Sequence, residues 1–298
     1  MSLEIKNKLL LVLNPVAGKG YGKNKLFEIV DIFSKYGYIV SVMLTKPNGE
    51  TEKAVAREAD GYDIIVAVGG DGTLNEVVNG ILSSNADVPL GYIPLGSTND
   101  FGTSLKLPKK IEEACKKIAE SEPKWLDLGR FGDKNFTYIA CSGLFSSVSY
   151  MTSQQLKNVL GHGAYVLKGL SEIAQTKSTF YSIELVDETI EGDFWFVGIS
   201  NTLRAGGFSF YKNGEVDFDD GYFELNILKA PKNILNGTLI LTDLFTFKSQ
   251  SENFIKKKVK KAIIRTKTPQ KWSLDGENGG EKTEVTVEVR QKTIKFFY

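Results

Sequence analysis

The segment Val68–Thr73, Val-Gly-Gly-Asp-Gly-Thr, limits what this chain can fold into more than any other, because it joins two patterns of different period. Before it, Asp63–Ala67 is a short, mostly β-branched apolar run, which is typical of a buried strand. After it, apolar residues from Leu74 to Ile81 recur at helical spacing. A strand that passes through glycines into a helix directs free backbone N–H groups outward at the helix N-terminus. The segment therefore predicts a turn that can bind phosphate.

Two residue types in this turn suit a nucleotide. The glycines allow a ligand to approach the backbone closely, and Asp71 places a carboxylate where a metal–nucleotide complex needs one. The alternative interpretation is a strand-to-helix turn that binds nothing. The run Gly69–Thr73 directly after a buried strand favours phosphate binding over that alternative.

Composition restricts the class of partner. The 37 basic and 36 acidic residues leave a net charge of +1, which gives no electrostatic reason to expect nucleic acid. Two cysteines and one histidine are too few for a disulfide framework or a zinc ligand set, and no signal-peptide pattern is present. No stretch reaches the roughly 18 apolar residues of a membrane span. We expect a cytoplasmic protein, one that would meet a lipid substrate only at the membrane surface.

The first half of the chain alternates strand and helix patterns with short connections, which predicts a parallel sheet covered on both faces. A strand over Lys8–Leu13 is followed by a predicted loop over Asn14–Tyr21 and a helix over Asn24–Tyr36. This loop has neither Walker A nor dinucleotide-binding spacing. Lys19 is interpreted as a point charge for phosphate, against the alternative of an ordinary surface lysine.

A further polar loop follows the predicted strand Val88–Pro94. Ser97 or Thr98 could cap the helix that this loop opens, with Asp100 in its first turn. Because loops after parallel strands meet at one edge of a sheet, we expect Asp100 to lie near Asp71.

The pattern changes after Pro123–Gly129, where segments that alternate polar and apolar residues predict antiparallel β structure. We expect an α/β domain over residues 1–128, which residues 291–298 could join, and a mainly antiparallel β-sandwich domain over residues 129–290. A helical insertion is predicted at Ser153–Gln175. The strands predicted in the second domain include Asn135–Ala140, Ser178–Val186, Asp193–Ser200, Tyr222–Leu228, Ala262–Thr266 and Lys282–Arg290.

Three separate motifs resemble the diacylglycerol kinase catalytic-domain family, which includes soluble bacterial lipid kinases and the sphingosine and ceramide kinases. These motifs are Asn14–Lys19, Gly69–Asn75 and Pro94–Phe101, and further matches extend the resemblance over nearly the whole chain. The sequence departs from many relatives at Ser97, where they carry Thr, and at Thr103, where they carry Arg. The resemblance implies a diacylglycerol kinase-like or NAD kinase-like fold in the first domain and a lipid-substrate domain in the second.

The resemblance also implies roles for individual residues. The implied nucleotide-binding residues are Asn14, Pro15, Gly18, Thr45, Gly69, Gly70, Asp71, Gly72, Thr73, Asn75 and Ser97. Glu277, in a late Asp-Gly-Glu motif, matches the general base that accepts the proton of the substrate hydroxyl, with Asp275 as a supporting carboxylate; a plain hairpin is the alternative. Lys168 is implied in the active-site polar network, against the alternative of a solvated helix face.

Carboxylates are concentrated in Glu215–Tyr222, which suits Mg²⁺ or Ca²⁺, although acidic turns without metal are common. The resemblance implies Mg²⁺ held by the Asp220 carboxylate and by the main-chain oxygens of Asp217 and Tyr222. Glu215 and Asp219 are alternative ligands. The carboxylates expected to organise the nucleotide-bound Mg²⁺ and its waters are Asp71, Asp100 and Asp127.

We therefore expect an ATP- and Mg²⁺-dependent lipid kinase that phosphorylates diacylglycerol to phosphatidic acid, with ATP in a cleft between the domains. The run Lys256–Lys261 predicts either attraction to anionic lipid headgroups, and so peripheral membrane association, or a solvated loop. An NAD kinase-like enzyme, a kinase of sphingoid bases or phosphatidylglycerol, and an inactive nucleotide-binding regulator remain alternatives. Homodimer formation is left open.

Overall fold

The computed structural model describes residues 7–144, 178–205, 208–209, 211–212, 214–230 and 253–298. These residues divide into two compact units. Unit 1 contains the described residues up to Leu126 together with Lys292–Tyr298, and unit 2 contains those within Asp127–Gln291. The predicted insertion at Ser153–Gln175, with Lys168, lies outside the described residues.

A parallel sheet forms the centre of unit 1. Its strands are β1 (Asn7–Leu13), β2 (Tyr38–Leu44), β3 (Ile64–Gly69) and β4 (Leu90–Pro94). They lie in the order β2-β1-β3-β4, and Phe296 near the chain end pairs in parallel with Leu90 of β4. β3 is buried along its whole length because helices cover both faces of the sheet.

The described residues of unit 1 form five α-helices around this sheet. They are α1 (Ala17–Lys35), α2 (Glu50–Glu58), α3 (Asp71–Ser84), α4 (Asp100–Ser104) and α5 (Ile111–Glu120), with a 3₁₀ turn at Ala59–Gly61. α1 and α5 share one core with alternate residues of β1 and β3. α2 and α3 pack together where Gly80 lies against Val55. None of the helices within the described ranges combines the length and the hydrophobicity that crossing a bilayer requires.

The helix after β1 begins earlier than its sequence indicates. The predicted loop over Asn14–Tyr21 is wrong from Ala17 onward, where α1 starts. Asn14 stabilises the beginning of α1. Its side-chain Oδ1 accepts a hydrogen bond from the Val16 N–H at 3.1 Å, and its carbonyl oxygen accepts one from the Ala17 N–H at 3.2 Å. Gly22 then packs on the same carbonyl, because a Cβ there would lie 2.7 Å from the oxygen.

Unit 2 is mostly antiparallel β structure, as predicted. The remaining strands among the described residues are β5 (Lys124–Phe131), β6 (Lys134–Phe136), β7 (Ile139–Gly143), β8 (Thr179–Glu184), β9 (Thr189–Ser200), β10 (Arg204–Ala205), β11 (Phe208–Ser209), β12 (Phe223–Lys229), β13 (Phe254–Val259), β14 (Lys261–Leu274) and β15 (Glu277–Phe296). β5 and β15 contribute residues to both units. The order is β13-β12-β9-β7-β14-β15, and β8 pairs with β9 and β14 beyond the end of β7.

Two local predictions in unit 2 are wrong. The single strand predicted over Asn135–Ala140 is two strands, β6 and β7, because backbone N–H groups at the break donate to the Asp275 carboxylate instead of to a neighbouring strand. The lysine run, for which a solvated loop was one of the two interpretations, forms the end of β13 and the start of β14. The first lysines of the run belong to β13, which pairs with β12 along Phe223–Leu228.

Candidate functional site

The strand order of unit 1 contains one reversal. The connection after β1 runs through α1 to β2 on one side, whereas β3 and then β4 lie on the other side. Connections that leave two adjacent parallel strands in opposite directions open a crevice at the carboxyl ends of those strands. Here these ends carry Asn14 and Gly69, which belong to two of the motifs singled out from the sequence.

Hydrogen bonds join the motifs at this crevice. The Asn14 N–H donates to the Val68 carbonyl at 2.9 Å, and its side-chain Nδ2 donates to Thr73 Oγ1 at 3.2 Å. On the far side of β1, the Thr45 N–H donates to the Leu13 carbonyl at 2.9 Å. Asn14, Thr45 and Thr73, all predicted to bind the nucleotide, therefore lie at the same edge of one sheet.

In the glycine-rich turn a single residue separates the strand from the helix. Gly69 ends β3, Gly70 is the N-cap of α3, and Asp71 is the first helical residue. Glycine at the N-cap has no side chain to accept a hydrogen bond from the first amides of the helix. Gly96 approaches this turn so closely that a Cβ on it would lie 2.5 Å from the Gly70 Cα.

The loop after β4 is tied to the glycine turn by its backbone. The N–H groups of Leu95 and Gly96 both donate to the Gly69 carbonyl, at 2.7 and 3.1 Å. Asn99 closes the loop, because its Oδ1 accepts from the Gly96 N–H and its Nδ2 donates to the Gly96 carbonyl, both at 2.8 Å. The loop thereby presents exposed Ser97 at its tip.

The prediction that Ser97 or Thr98 caps α4 is wrong. The N-cap of α4 is Asn99, in the left-handed conformation with φ of 49°, and its side chain binds back to the loop instead of capping. Asparagine tolerates this conformation better than most residues, because its short polar side chain bonds locally. The loop after β4 is thus closed by hydrogen bonds between the Asn99 side chain and the Gly96 backbone, and not by a helix cap.

Asp71 and Asp100 come together as the sequence indicates. The Asp100 N–H donates to Asp71 Oδ2 at 3.3 Å, and the Asp100 side chain is buried. Tyr92, which the sequence did not single out, donates its hydroxyl to the Gly69 carbonyl at 3.2 Å. Burial, and then the nearby Asp71 carboxylate, raise the pKa of the Tyr92 hydroxyl, so it stays a donor to this turn.

The other predicted residues of this region lie on α1, on α3 and before α1. Pro15 is in the turn before α1, and Gly18 and Lys19 are in its first turn. Gly72 and Asn75 are in the first turns of α3, where Asn75 Oδ1 accepts from the Asn79 side-chain amide at 3.0 Å. All of these positions lie in the turn after β1 or in the first turns of the helices that follow β1 and β3.

The Asp-Gly-Glu motif is a two-residue hairpin between β14 and β15. Asp275 and Gly276 have φ of 52° and 90°, and Leu274 pairs with Glu277 across the turn. Positive φ at both central residues is the geometry for which Asp-Gly is favoured. The hairpin places Glu277, with an exposed side chain, at the first position of β15.

Asp275 is buried, whereas its neighbour Glu277 is exposed. Its buried carboxylate accepts backbone hydrogen bonds from Thr137, Tyr138 and Ile139 at 2.5, 2.9 and 3.0 Å. The carboxylate thus fixes the hairpin to the start of β7. Asp275 is a positioning residue for the turn that carries Glu277.

The predicted metal-binding residues lie together in unit 2. The buried Asp127 contacts the acidic segment at two points. Its N–H donates to the Phe218 carbonyl at 2.8 Å, and its Oδ2 accepts from the Gly221 N–H at 2.6 Å. Asp220 Oδ1 accepts from the Tyr222 N–H at 2.9 Å, and Asp220 Oδ2 pairs with the Lys258 ammonium at 2.6 Å. The acidic segment Asp217–Tyr222 is therefore wrapped around the Asp127 side chain.

Whether this segment fits a cation depends on its charges. Within the described residues, no three Asp, Glu, Cys or His side chains converge on one metal position. The buried Glu224, however, has two carboxylate oxygens that receive no hydrogen bond from any other described residue. Burial raises its pKa to about 8, an effect that Lys258 partly offsets and that Asp220 and Asp217 reinforce. The segment fits a cation bound by few carboxylates and by main-chain oxygens.

Sequence reasoning missed Glu224. It occupies a polar position of a strand that alternates polar and apolar residues, which predicts a solvent-facing side chain. The only signal that could have found it is its place two residues after Tyr222 in the acidic segment.

Known proteins are similar to this chain in sequence and in fold. Residues 8–131 match the family described as "Diacylglycerol kinase catalytic domain". A diacylglycerol kinase of Staphylococcus saprophyticus is 32% identical over 285 residues, covering 93% of this chain and 91% of the relative. One of Staphylococcus aureus strain RF122 is 33% identical, covering 93% and 88%. A solved Bacillus anthracis structure has a TM-score of 0.80 at 27% identity, covering 98% of this chain and 95% of that one.

Proposed function

The chain belongs to the diacylglycerol kinase catalytic-domain family and is a lipid kinase, and we propose that it transfers the γ-phosphoryl group of ATP to the free hydroxyl of diacylglycerol, giving phosphatidic acid. The observation that carries the proposal is the crevice of unit 1, where Asn14, the glycine turn and the Asp71–Asp100 pair meet. These residue types suit a triphosphate with its metal, and the family supplies the class of acceptor.

Phosphoryl transfer needs positioning and charge stabilisation more than covalent help from the protein. Backbone N–H groups after Gly69 bind the phosphates, and Lys19 and Lys168 offset their negative charge. The nucleotide contacts are completed by Asn14, Pro15, Gly18, Thr45, Thr73, Asn75 and Ser97. This assignment is supported by the placement of the described members in the loops after β1, β2, β3 and β4 or in the first turns of the helices that follow.

Glu277 accepts the proton of the acceptor hydroxyl at its carboxylate. The hydroxyl oxygen then forms the new bond to the γ-phosphorus, the bond from that phosphorus to the bridging oxygen of ADP breaks, and ADP leaves. The exposed side chain of Glu277 and the rigid hairpin beneath it support this role. Asp275 contributes indirectly, because its carboxylate fixes the hairpin that carries Glu277.

Bound Mg²⁺ would supply positive charge that stabilises the transferring phosphoryl group. By the family resemblance, Asp71, Asp100 and Asp127 would hold this ion and its waters. By the same resemblance, a structural Mg²⁺ would be held by the Asp220 carboxylate with the main-chain oxygens of Asp217 and Tyr222.

The decisive experiment is a panel of acceptors with labelled ATP and Mg²⁺ in mixed micelles. We expect diacylglycerol to be phosphorylated, and Glu277→Gln to retain ATP binding while losing most of the turnover. Glu281→Gln is the matched control, because Glu281 is another exposed glutamate of β15. Transfer to NAD alone, or ATP binding without transfer to any acceptor, would contradict the proposal; transfer only to a sphingoid base or to phosphatidylglycerol would replace diacylglycerol as the substrate.

We also propose that the chain works in the cytoplasm and contacts the membrane surface, where its lipid substrate lies. The lysine run suits this contact less than the sequence indicates, because several of its ammonium groups have local partners. Lys257 pairs with Glu188 and Lys261 with Glu288, both at 2.8 Å. Lys260 lies over the Tyr222 ring, 4.7 Å from its centroid.

Sedimentation with anionic vesicles tests the contact. We expect Lys257, Lys260 and Lys261 replaced together by Ser to lower the pelleted fraction. Replacement of three lysines of unit 1, Lys106, Lys109 and Lys116, removes equal charge and should leave it unchanged. Equal pelleting of both variants and the wild type would reject the lysine run as the contact. Whether the protein forms a homodimer is an open question that light scattering can answer by measuring its molar mass in solution.

A further inference from the structure

The outer edge of β2 is an apolar strand edge that is open to solvent. β2 is the last strand of the parallel sheet in unit 1, and among the described residues it pairs only with β1, in a register without a bulge. Three of its seven side chains are exposed, Ile39 by 48%, Val42 by 43% and Leu44 by 50%. Proteins protect free edges with lysine, proline or a bulge, and β2 has none of these.

The backbone of β2 directs alternate hydrogen-bonding groups to this edge. The Thr45 N–H, directly after the strand, donates to the Leu13 carbonyl of β1. Because successive residues of a strand direct their N–H and C=O groups to opposite sides, the odd-numbered residues of β2 bond to β1 and the even-numbered ones point away from it. The residues that point away are Tyr38, Val40, Val42 and Leu44. Their backbone groups meet no partner in the part of the chain that the structure describes.

This edge is complementary to a second copy of itself. Ser41 is the central residue of β2. Antiparallel pairing of two copies about a two-fold axis at Ser41 sets Val40 opposite the partner's Val42, and Tyr38 opposite the partner's Leu44. Since these residues carry the outward backbone groups, each such pair exchanges two hydrogen bonds. All the pairs are apolar except the central serine with itself, so the register brings no two charges together.

The edge also has the area that a stable dimer needs. Seven residues of a strand span about 23 Å, and a sheet with a layer of helices on each face is about 30 Å thick. These dimensions give about 700 Å² on each copy, close to the roughly 800 Å² per partner of specific complexes. On one face α1 supports the edge, because its Phe33 ring lies against the Tyr38 ring with centroids 5.8 Å apart.

We propose that β2 is the interface of a homodimer, in which the β2 strands of two copies pair antiparallel about Ser41 and join their parallel sheets into one continuous sheet. Such an interface uses the same surface on both copies, so it closes at two copies and leaves no free edge for a third. The inference goes beyond the proposed function and does not depend on it.

Light scattering coupled to gel filtration of the full-length protein tests the interface. We expect the wild type at micromolar concentration to have twice the 33.0 kDa mass of one chain. Val42→Lys should raise the dissociation constant of the dimer by about tenfold or more, because two added charges meet beside the axis. Val186→Lys is the matched control, since Val186 is an exposed valine of unit 2, and this variant should stay dimeric. Circular dichroism checks that both variants are folded.

Ser41→Cys tests the register of the two strands. The backbone groups of Ser41 bond to β1, so Ser41 and the partner's Ser41 form a pair without mutual hydrogen bonds, whose Cα atoms lie about 4.5 Å apart, within disulfide range. Mild oxidation should convert most of this variant to a covalent dimer on a non-reducing gel. Ser34→Cys, at an exposed serine of α1, should stay a single chain. The native Cys115 and Cys141 are buried and should not form the link.

Three outcomes would overturn the inference. A wild type with the mass of one chain would show that β2 does not bind a second copy. A folded Val42→Lys that dimerises as tightly as the wild type would place the interface elsewhere. A dimer in which Ser41→Cys forms no more covalent link than Ser34→Cys would exclude antiparallel pairing about Ser41.

Discussion

At the level of single residues, the carboxylate of Asp275 shows how one side chain can organise a distant backbone. It accepts N–H groups from Thr137, Tyr138 and Ile139, and it does so from a residue with φ of 52°. Hydrogen bonds to a charged acceptor are stronger than neutral ones, and three donors left unpaired in the interior would be costly. The hairpin that presents Glu277 therefore depends on Asp275 for its position.

Asp275→Asn tests this dependence without changing the backbone preference, because asparagine also tolerates positive φ. We expect the free energy of unfolding to fall by about 3 kcal/mol, since the amide is a weaker acceptor and turns N–H groups toward the backbone donors. Urea denaturation measures the loss. Asp133→Asn, in the exposed turn between β5 and β6, is the control, and an equally small change in both variants would contradict the prediction.

Burial also decides the reactivity of both cysteines. Desolvation raises the pKa of Cys115 and of Cys141 to about 12, with smaller contributions from Glu28 and Asp275 respectively. Since the thiolate is the reactive form, both thiols stay protonated and unreactive at every pH well below that value.

We expect no rapid reaction of the folded wild type with a thiol reagent at pH 8, and reaction of both cysteines after unfolding in guanidinium. The rate on folded protein should rise only as the pH approaches the raised pKa. Val186→Cys supplies a positive control, because Val186 is 82% exposed. Fast labelling of the folded wild type at pH 8 would show that one of the thiols is accessible.

At the level of elements, α1 depends on contact with the turn that precedes it. A helix start at Ala17 brings Gly22 against the Asn14 carbonyl oxygen, at a distance that no Cβ could keep. Glycine lowers helix stability by roughly 0.5–1 kcal/mol relative to alanine, so its presence here is explained by packing and not by helix propensity.

Gly22→Ala should therefore destabilise the protein although alanine is the better helix former. We expect the free energy of unfolding to fall by about 1–3 kcal/mol, as is usual for overpacking. Gly61→Ala is the matched control, because a Cβ at Gly61 meets no atom within 4 Å. Chemical denaturation of both variants measures the difference, and a gain in stability for Gly22→Ala would refute the packing explanation.

At the level of the whole molecule, binding of the nucleotide should be visible as stability. A ligand that binds only the folded state raises the free energy of unfolding by about 2.7 kcal/mol at 100 times its dissociation constant. We expect MgATP to raise the melting temperature of the wild type and of Glu277→Gln equally, because Glu277 acts on the acceptor. Asp71→Asn should reduce the rise in melting temperature that MgATP causes. Loss of this rise in Glu277→Gln would contradict the prediction that Glu277 acts on the acceptor and not on the nucleotide.

Much of unit 1 could be predicted from sequence because its signals are local. Apolar runs ending in glycine clusters predict β1 and β3, and the rule that parallel strands end at one edge predicts that Asp71 and Asp100 meet. The family resemblance, carried by the same local motifs, predicted the fold class of both domains and the lipid kinase activity.

The remainder depends on residues that are far apart in the sequence. The Asp275 carboxylate meets N–H groups of Thr137–Ile139, and Lys258 meets Asp220, only because particular strands become neighbours. The sequence alone determined the periodicity of each element, the glycine turn and the family. The burial of Glu224 came from the tertiary structure, because burial is set by the strands and loops that cover a residue and not by its own place in an alternating pattern.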